Sequence, residues 1–242
     1  FTEDFVFTSR ATAVQYEGRA NVILHEMAHM WFGDLVAIHW WEDLWLKESF
    51  AEFMSTLAAA ENTQYTGAWT TFSAMEKNWA YRQDQLSSTH PIKARIRDLD
   101  DVLVNFDGIT YAKGASVLRQ LVAWVGQENF MAGVRAYIAQ HAWGNTELPD
   151  LMSELEAASG RDLSEWTRVW LETSGVNTLR TEVETDEAGT ITALRLRQSA
   201  PDGSPSAPGD DVLRPHRLAV GFYDVDEATG RLTRTERFEL DV

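Results

Sequence analysis

From Ala11 to about Phe32 the chain has no proline, and its apolar residues Val14, Val22, Leu24, Met27, Ala28 and Trp31 recur at mixed spacings of three and four. That period puts them on one face of a helix, which Gly33 is placed to stop. A second helical pattern begins near Asp43, an expected N-cap, and runs through LWLKESFAEFMSTLAAAEN. The two are joined by the short apolar connection DLVAIHWW. Further helices are predicted over about 66 to 82, 110 to 125, 128 to 141, 147 to 158 and 162 to 174, the last two capped at Asn145 or Thr146 and at Asp162. Between them SSTHPIKARIRDLDDVLVNFDG reads as a long loop lining a site, because apolar residues are scattered through it. After about Gly175 the pattern switches to alternation in LRTEVETD, TITALRLRQ, HRLAVGFYD and RLTRTERFELDV, separated by EAG, APDGSPSAPGDD and EATG. These are short antiparallel strands. The expectation is a mainly α chain, with a helical region at 1–175 and a small β-sandwich-like domain at 176–242.

Composition narrows the function. The 242 residues are 44% hydrophobic without a long apolar run, enough for a sizeable core and no membrane span. A net charge of -16 with no basic run argues against nucleic acid as a partner. The acid excess suits a solvated surface first and a cationic substrate end second. There is no cysteine, which leaves histidines and carboxylates to hold any metal and favours a reducing, cytoplasmic location.

The chemistry concentrates in HEMAH. His25 and His29 are four residues apart on a helix, so both imidazoles leave one face and can converge on one ion. Glu26, beside His25, occupies the general-base position of the HExxH arrangement. Chance alone produces HExxH in roughly 1 chain in 100 of this kind, so a third ligand is required as support. A catalytic zinc site takes three protein ligands and keeps one position open. Glu48, separated from His29 by 18 residues, sits in the first turns of the next helix, and a tight antiparallel return brings it back to the histidine pair. That added requirement cuts coincidence to roughly 1 in 1000. Nearby, Asp43 reads as a cap, Glu42 as a solvated charge and Glu52 as a helix-face carboxylate bracing the ligands from behind. His39 lacks a partner at ligand spacing and reads as a packed connection residue, His90 as a loop residue lining the cleft, and His141 and His216 as incidental. Most of the ten tryptophans read as helix-packing residues.

HEMAHMWFGDLV followed by WWEDLWLKESFAEF resembles the zinc site of the M1 aminopeptidases, gluzincins in which HExxH is followed by 18 residues and a glutamate. The resemblance continues through STHPI at 88 to 92 and ITYAKGASVLRQL at 109 to 121. It implies a thermolysin-like helical core, one Zn2+ per chain held by His25, His29 and Glu48, Glu26 as general base, and removal of N-terminal residues from peptides with a free N-terminus. It also implies that Tyr111 donates its hydroxyl to the oxyanion of the tetrahedral intermediate, a role suited to a neutral phenol. Two departures stand out. Lys47-Glu48-Ser49 replaces the family's usual Asn-Glu-Gly, and the GxMEN segment and N-terminal β-domain that precede HExxH in the family are not in the chain. FTEDFVF resembles the sequence directly after that segment, so the chain is expected to be a fragment that retains zinc binding but whose turnover is not assured. Two rivals remain: a non-catalytic zinc-binding scaffold or partner-binding fragment, and an M1-like hydrolase with a non-peptide substrate, since the family includes an epoxide-opening member. Oligomeric state is not set by the sequence.

Overall fold

The computed structural model describes residues 1–200 and 212–242, so most of the Pro/Gly/Ser-rich separator APDGSPSAPGDD lies outside the described residues. The first helix, α1 (Ala13–His29), starts in a reciprocal cap. Gln15 N–H donates to Thr12 Oγ1, and Thr12 N–H donates to the Gln15 side chain. Its regular part stops at His29, four residues before the glycine that the pattern points to. Gly33, at φ 131, turns the chain so that its own N–H reaches Val36 O at 2.9 Å.

The apolar connection that follows contains a strand the sequence pattern does not reveal. β1 (Val36–Ile38) pairs in parallel with residues 144–146, Val36 opposite Gly144 and Ile38 opposite Thr146. A 3₁₀ turn, Trp41–Asp43, then runs directly into α2 (Trp45–Asn62). Asp43 is therefore not the N-cap. The turn already bonds the N–H of Asp43 and Leu44 to Trp40 and Trp41, while the buried Asp43 carboxylate accepts from Leu148 N–H and Trp45 Nε1 across the core.

The stretch expected as one helix over 66 to 82 is two, α3 (Ala68–Ala74) and α4 (Glu76–Asp84), broken at Met75 with no glycine or proline to mark it. The long loop holds a short helix, α5 (Leu99–Val104), capped by the Asp98 carboxylate on Asp101 N–H. Residues 110–125 open with a π-turn, Ile109–Lys113, before continuing as α6 (Gly114–Val125). α7 (Gln127–His141), β2 (Gly144–Thr146), α8 (Leu148–Ser159) and α9 (Ser164–Leu171) follow. The caps differ from expectation. Asn145 and Thr146 are engaged in β2, bonding Ile38 O and Tyr137 Oη, so α8 starts on a reciprocal Glu147–Asp150 cap. Asp162 stands one residue further out, accepting from Ser164 N–H while Leu163 occupies the cap position. Among the described residues, the larger of two cores has Phe50 between Phe32 and Phe130 at ring separations of 4.6 and 6.2 Å, with Leu118, Leu121, Leu151, Leu155 and Trp166 around them, while Val102 of α5 packs with Ala94 and Ile96 in a smaller cluster.

The tail is two antiparallel hairpins, β3 (Thr178–Thr185) with β4 (Ile191–Ser199) and β5 (Arg217–Val225) with β6 (Leu232–Asp241). Among the described residues they form separate two-stranded sheets, and β3 is exposed along its whole length, so no sandwich interior lies between them. One anchor of the tail is Arg214, 3% exposed, whose guanidinium donates to Val169 O, Ser174 O, Thr173 Oγ1 and Asn177 Oδ1. Among the described residues no helix is long and apolar enough to cross a membrane.

Removing the Arg214 side chain leaves two buried carbonyls, of Val169 and Ser174, without these donors. Arg214→Ala is expected to lower stability by about 3 kcal/mol in a urea titration, and a loss within error would show that the tail is held by other means.

Candidate metal centre

α1 and α2 run antiparallel, since His29 faces Glu48 while His25, one turn earlier, also faces Glu52 one turn later. One ligand atom from each of His25, His29 and Glu48 lies within 4.8 Å of the others. His25 Nε2 is 3.6 Å and His29 Nε2 is 3.4 Å from Glu48 Oε2. These separations are long for hydrogen bonds. They match the spacing of about 3.4 Å between ligand atoms around a tetrahedral ion with bonds of about 2.1 Å.

The rear of each histidine is also engaged. His29 Nδ1 donates to Phe32 O at 3.0 Å, which leaves Nε2 as the ring atom that faces Glu48. His25 Nδ1 is 3.3 Å from the Glu52 carboxylate. Gly33 keeps the backbone close behind His29, a Cβ there standing 3.6 Å from His29 Nδ1. The residues present therefore fit a divalent cation in ligand type, spacing and orientation.

The electrostatics point the same way. Burial opposes charge on His25, but the facing carboxylates of Glu48 and Glu52 outweigh it and raise the ring to about 9. Burial also works against Glu48, 3% exposed, yet His25, His29 and Lys47 hold it well below the usual carboxylate range. Two acidic side chains here demand positive charge in a low-dielectric setting. Lys47, at a departure from the family pattern, contributes through an Nζ–Oε1 contact of 3.2 Å.

Tyr111 lies parallel to His25, the ring centroids 6.0 Å apart and 10° from coplanar. Burial, then the charge of Glu48, pushes its phenol far above the ordinary range, so it stays a proton donor. Glu26, exposed on α1 beside His25, adds to the same field at Tyr111. His25, His29 and Glu48 thus converge, with Tyr111 stacked on His25 and Glu26 exposed one residue further along α1.

Sequence periodicity misses the device that presents Tyr111. In the π-turn, Gly108 O accepts from both Ala112 and Lys113, and Gly114 N–H reaches back five residues to Ile109 O. Asp107 holds its start: Oδ1 accepts from Ile109 and Thr110 N–H, and Oδ2 from His90 Nε2 and Gln83 Nε2. Burial opposes charge on His90, but Asp107 prevails and raises its pKa. His90 is thus part of a clamp, its other nitrogen donating to Pro91 O. On the far side, Ser49 Oγ donates to Thr110 O at 2.6 Å. His39 is exposed with its N–H on Thr146 O, a connection residue, while His216 packs edge-on to Trp170. Trp45 is in the core, and Trp31 and Trp40 are exposed.

Comparison with known proteins agrees in extent with this helical region. The Peptidase family M1 domain matches residues 2–170. The chain is 59% identical over 242 residues to "Aminopeptidase N" of Streptomyces lividans, covering 99% of this chain and 28% of that protein. It is 40% identical over 176 residues to "Probable aminopeptidase 2" of Sulfurisphaera tokodaii, covering 72% of this chain and 22% of that one. It is 35% identical over 224 residues to "Aminopeptidase 2, mitochondrial" of Saccharomyces cerevisiae, covering 92% and 23%. The chain spans only about a quarter of the length of these curated relatives. With the match running from the residues before α1 into α9, through both helices that carry the ligand group, the chain belongs to peptidase family M1.

Proposed function

We propose that the chain carries the zinc centre of an aminopeptidase that removes N-terminal residues from peptides with a free N-terminus. The observation that carries this reading is the convergence of His25 Nε2, His29 Nε2 and Glu48 Oε2, with the Tyr111 ring stacked on His25. The names of the relatives support it. Among the described residues the group has three ligands rather than four, which favours a catalytic over a structural ion and argues against a purely scaffolding role. In this reading residues 1–175 form a thermolysin-like catalytic region and 176–242 a separate strand-rich domain.

His25, His29 and Glu48 would hold one Zn2+, which when bound supplies Lewis acidity toward a scissile carbonyl and toward water. Glu26 takes a proton from the attacking water and returns it to the leaving amine. Its exposure suits a base that must reach solvent and substrate in turn. Tyr111, kept protonated by burial and by Glu48, donates its hydroxyl where negative charge develops on the carbonyl oxygen. Glu52 holds His25 from behind and Phe32 O holds His29, so neither ring has to reorient.

Elemental analysis is expected to find one zinc per chain, and no zinc would sink the reading. Glu26→Gln is expected to keep that zinc and lower hydrolysis of amino-acyl amides by about 10²–10⁴-fold; equal turnover would remove Glu26 from the chemistry. Glu52→Gln is expected to weaken zinc about 10–100-fold in a competition titration. Unchanged affinity would mean that the Glu52 contact does not support His25.

A further inference from the structure

Ser49 and Thr110 are each one residue from a group of the proposed chemistry. Ser49 follows Glu48 on α2, and Thr110 precedes Tyr111 in the π-turn. Between them runs a single buried hydrogen bond, Ser49 Oγ to Thr110 O at 2.6 Å, with Ser49 0% exposed. In a regular α-helix Thr110 O would receive Gly114 N–H. Here that N–H is shared between Ile109 O and Tyr111 O, and the serine hydroxyl meets the Thr110 carbonyl from the neighbouring helix. Gly114 makes the approach possible. A Cβ built on it would lie 1.9 Å from Ser49 Oγ and 2.7 Å from Ser49 Cβ.

We propose that Ser49 is a positioning residue: its hydroxyl fixes the π-turn against α2 and so sets where the Tyr111 hydroxyl stands relative to Glu48. This rests on the role given to Tyr111 above. Asp107 and Gln83 hold the start of the turn through its N–H groups, with His90 on the Asp107 carboxylate, whereas Ser49 reaches the turn's Thr110 carbonyl from the helix that bears Glu48. Reaction geometry is steep in such displacements, because a misplacement of about 1 Å can cost about 10²-fold in rate.

A double-mutant cycle on the zinc-loaded protein tests it. Tyr111→Phe alone is expected to lower kcat by about 10²-fold, and an unchanged kcat would remove Tyr111 from the chemistry and this inference with it. Ser49→Ala is expected to lower kcat about tenfold, with KM within about twofold and zinc still at one per chain. Added to Tyr111→Phe it should have no further effect. If Tyr111→Phe impairs the protein but Ser49→Ala does not, or if Ser49→Ala costs the same factor in both backgrounds, the positioning role is wrong while the Tyr111 reading stands. Two readouts cover a poorly folding variant. Amide exchange at Lys113 and Gly114 in metal-free protein should speed up in Ser49→Ala, and unchanged protection would count against the inference. Gly114→Ala should lower kcat and be rescued by adding Ser49→Gly, whereas no rescue would show that the Ser49–Gly114 contact does not govern the turn.

Discussion

A carboxylate buried to 3% exposure between two histidines is the constraint from which the rest of the site follows. Glu48 can remain ionised there only if positive charge stands against it, and the surroundings are arranged to supply that. His25 and His29 approach one of its oxygens, and Lys47 the other. The antiparallel pairing of α1 and α2 is what makes the approach possible, and the Phe32–Phe50–Phe130 stack holds that pairing from beneath. Packing therefore sets a distance that chemistry needs.

The second side of the site is built on a departure from regular structure. The π-turn rotates Tyr111 over His25 and leaves backbone groups that a straight helix would have paired internally. Side chains from three other places in the chain meet that turn: Gln83 from α4, His90 from the loop after it and Ser49 from α2, with Asp107 as the local hub. A distorted turn persists only when its surroundings over-determine it.

The convergence of His25, His29 and Glu48 was the most legible part of the sequence because its information is local. Residues four apart on a helix share a face whatever the rest of the chain does, and Glu48 needed only one tight return to join them. Tyr111 was legible only through resemblance, since its period fits an ordinary amphipathic helix and nothing in Ile109–Lys113 announces a shifted hydrogen-bond ladder. The long helices and the alternating tail were visible for the same local reason. The caps were not. Asp43 and Thr146 carry suitable side chains, but tertiary partners at Leu148 and Tyr137 engage them instead. β1 and β2 were hidden because three residues are too few to show a period, and their pairing joins segments far apart in the chain.

That short parallel ladder has a kinetic consequence. Val36 lies between α1 and α2, and its partner Gly144 comes after α7, so the contact closes a loop of about a hundred residues. The helices around it can form from neighbouring residues in microseconds. The hinge between α1 and α2 acquires its last backbone bonds, including Trp143 N–H to Leu35 O and His39 N–H to Thr146 O, only when that distant turn arrives. In a nascent chain α1 and α2 are therefore synthesised about a hundred residues ahead of the segment that clasps the connection between them.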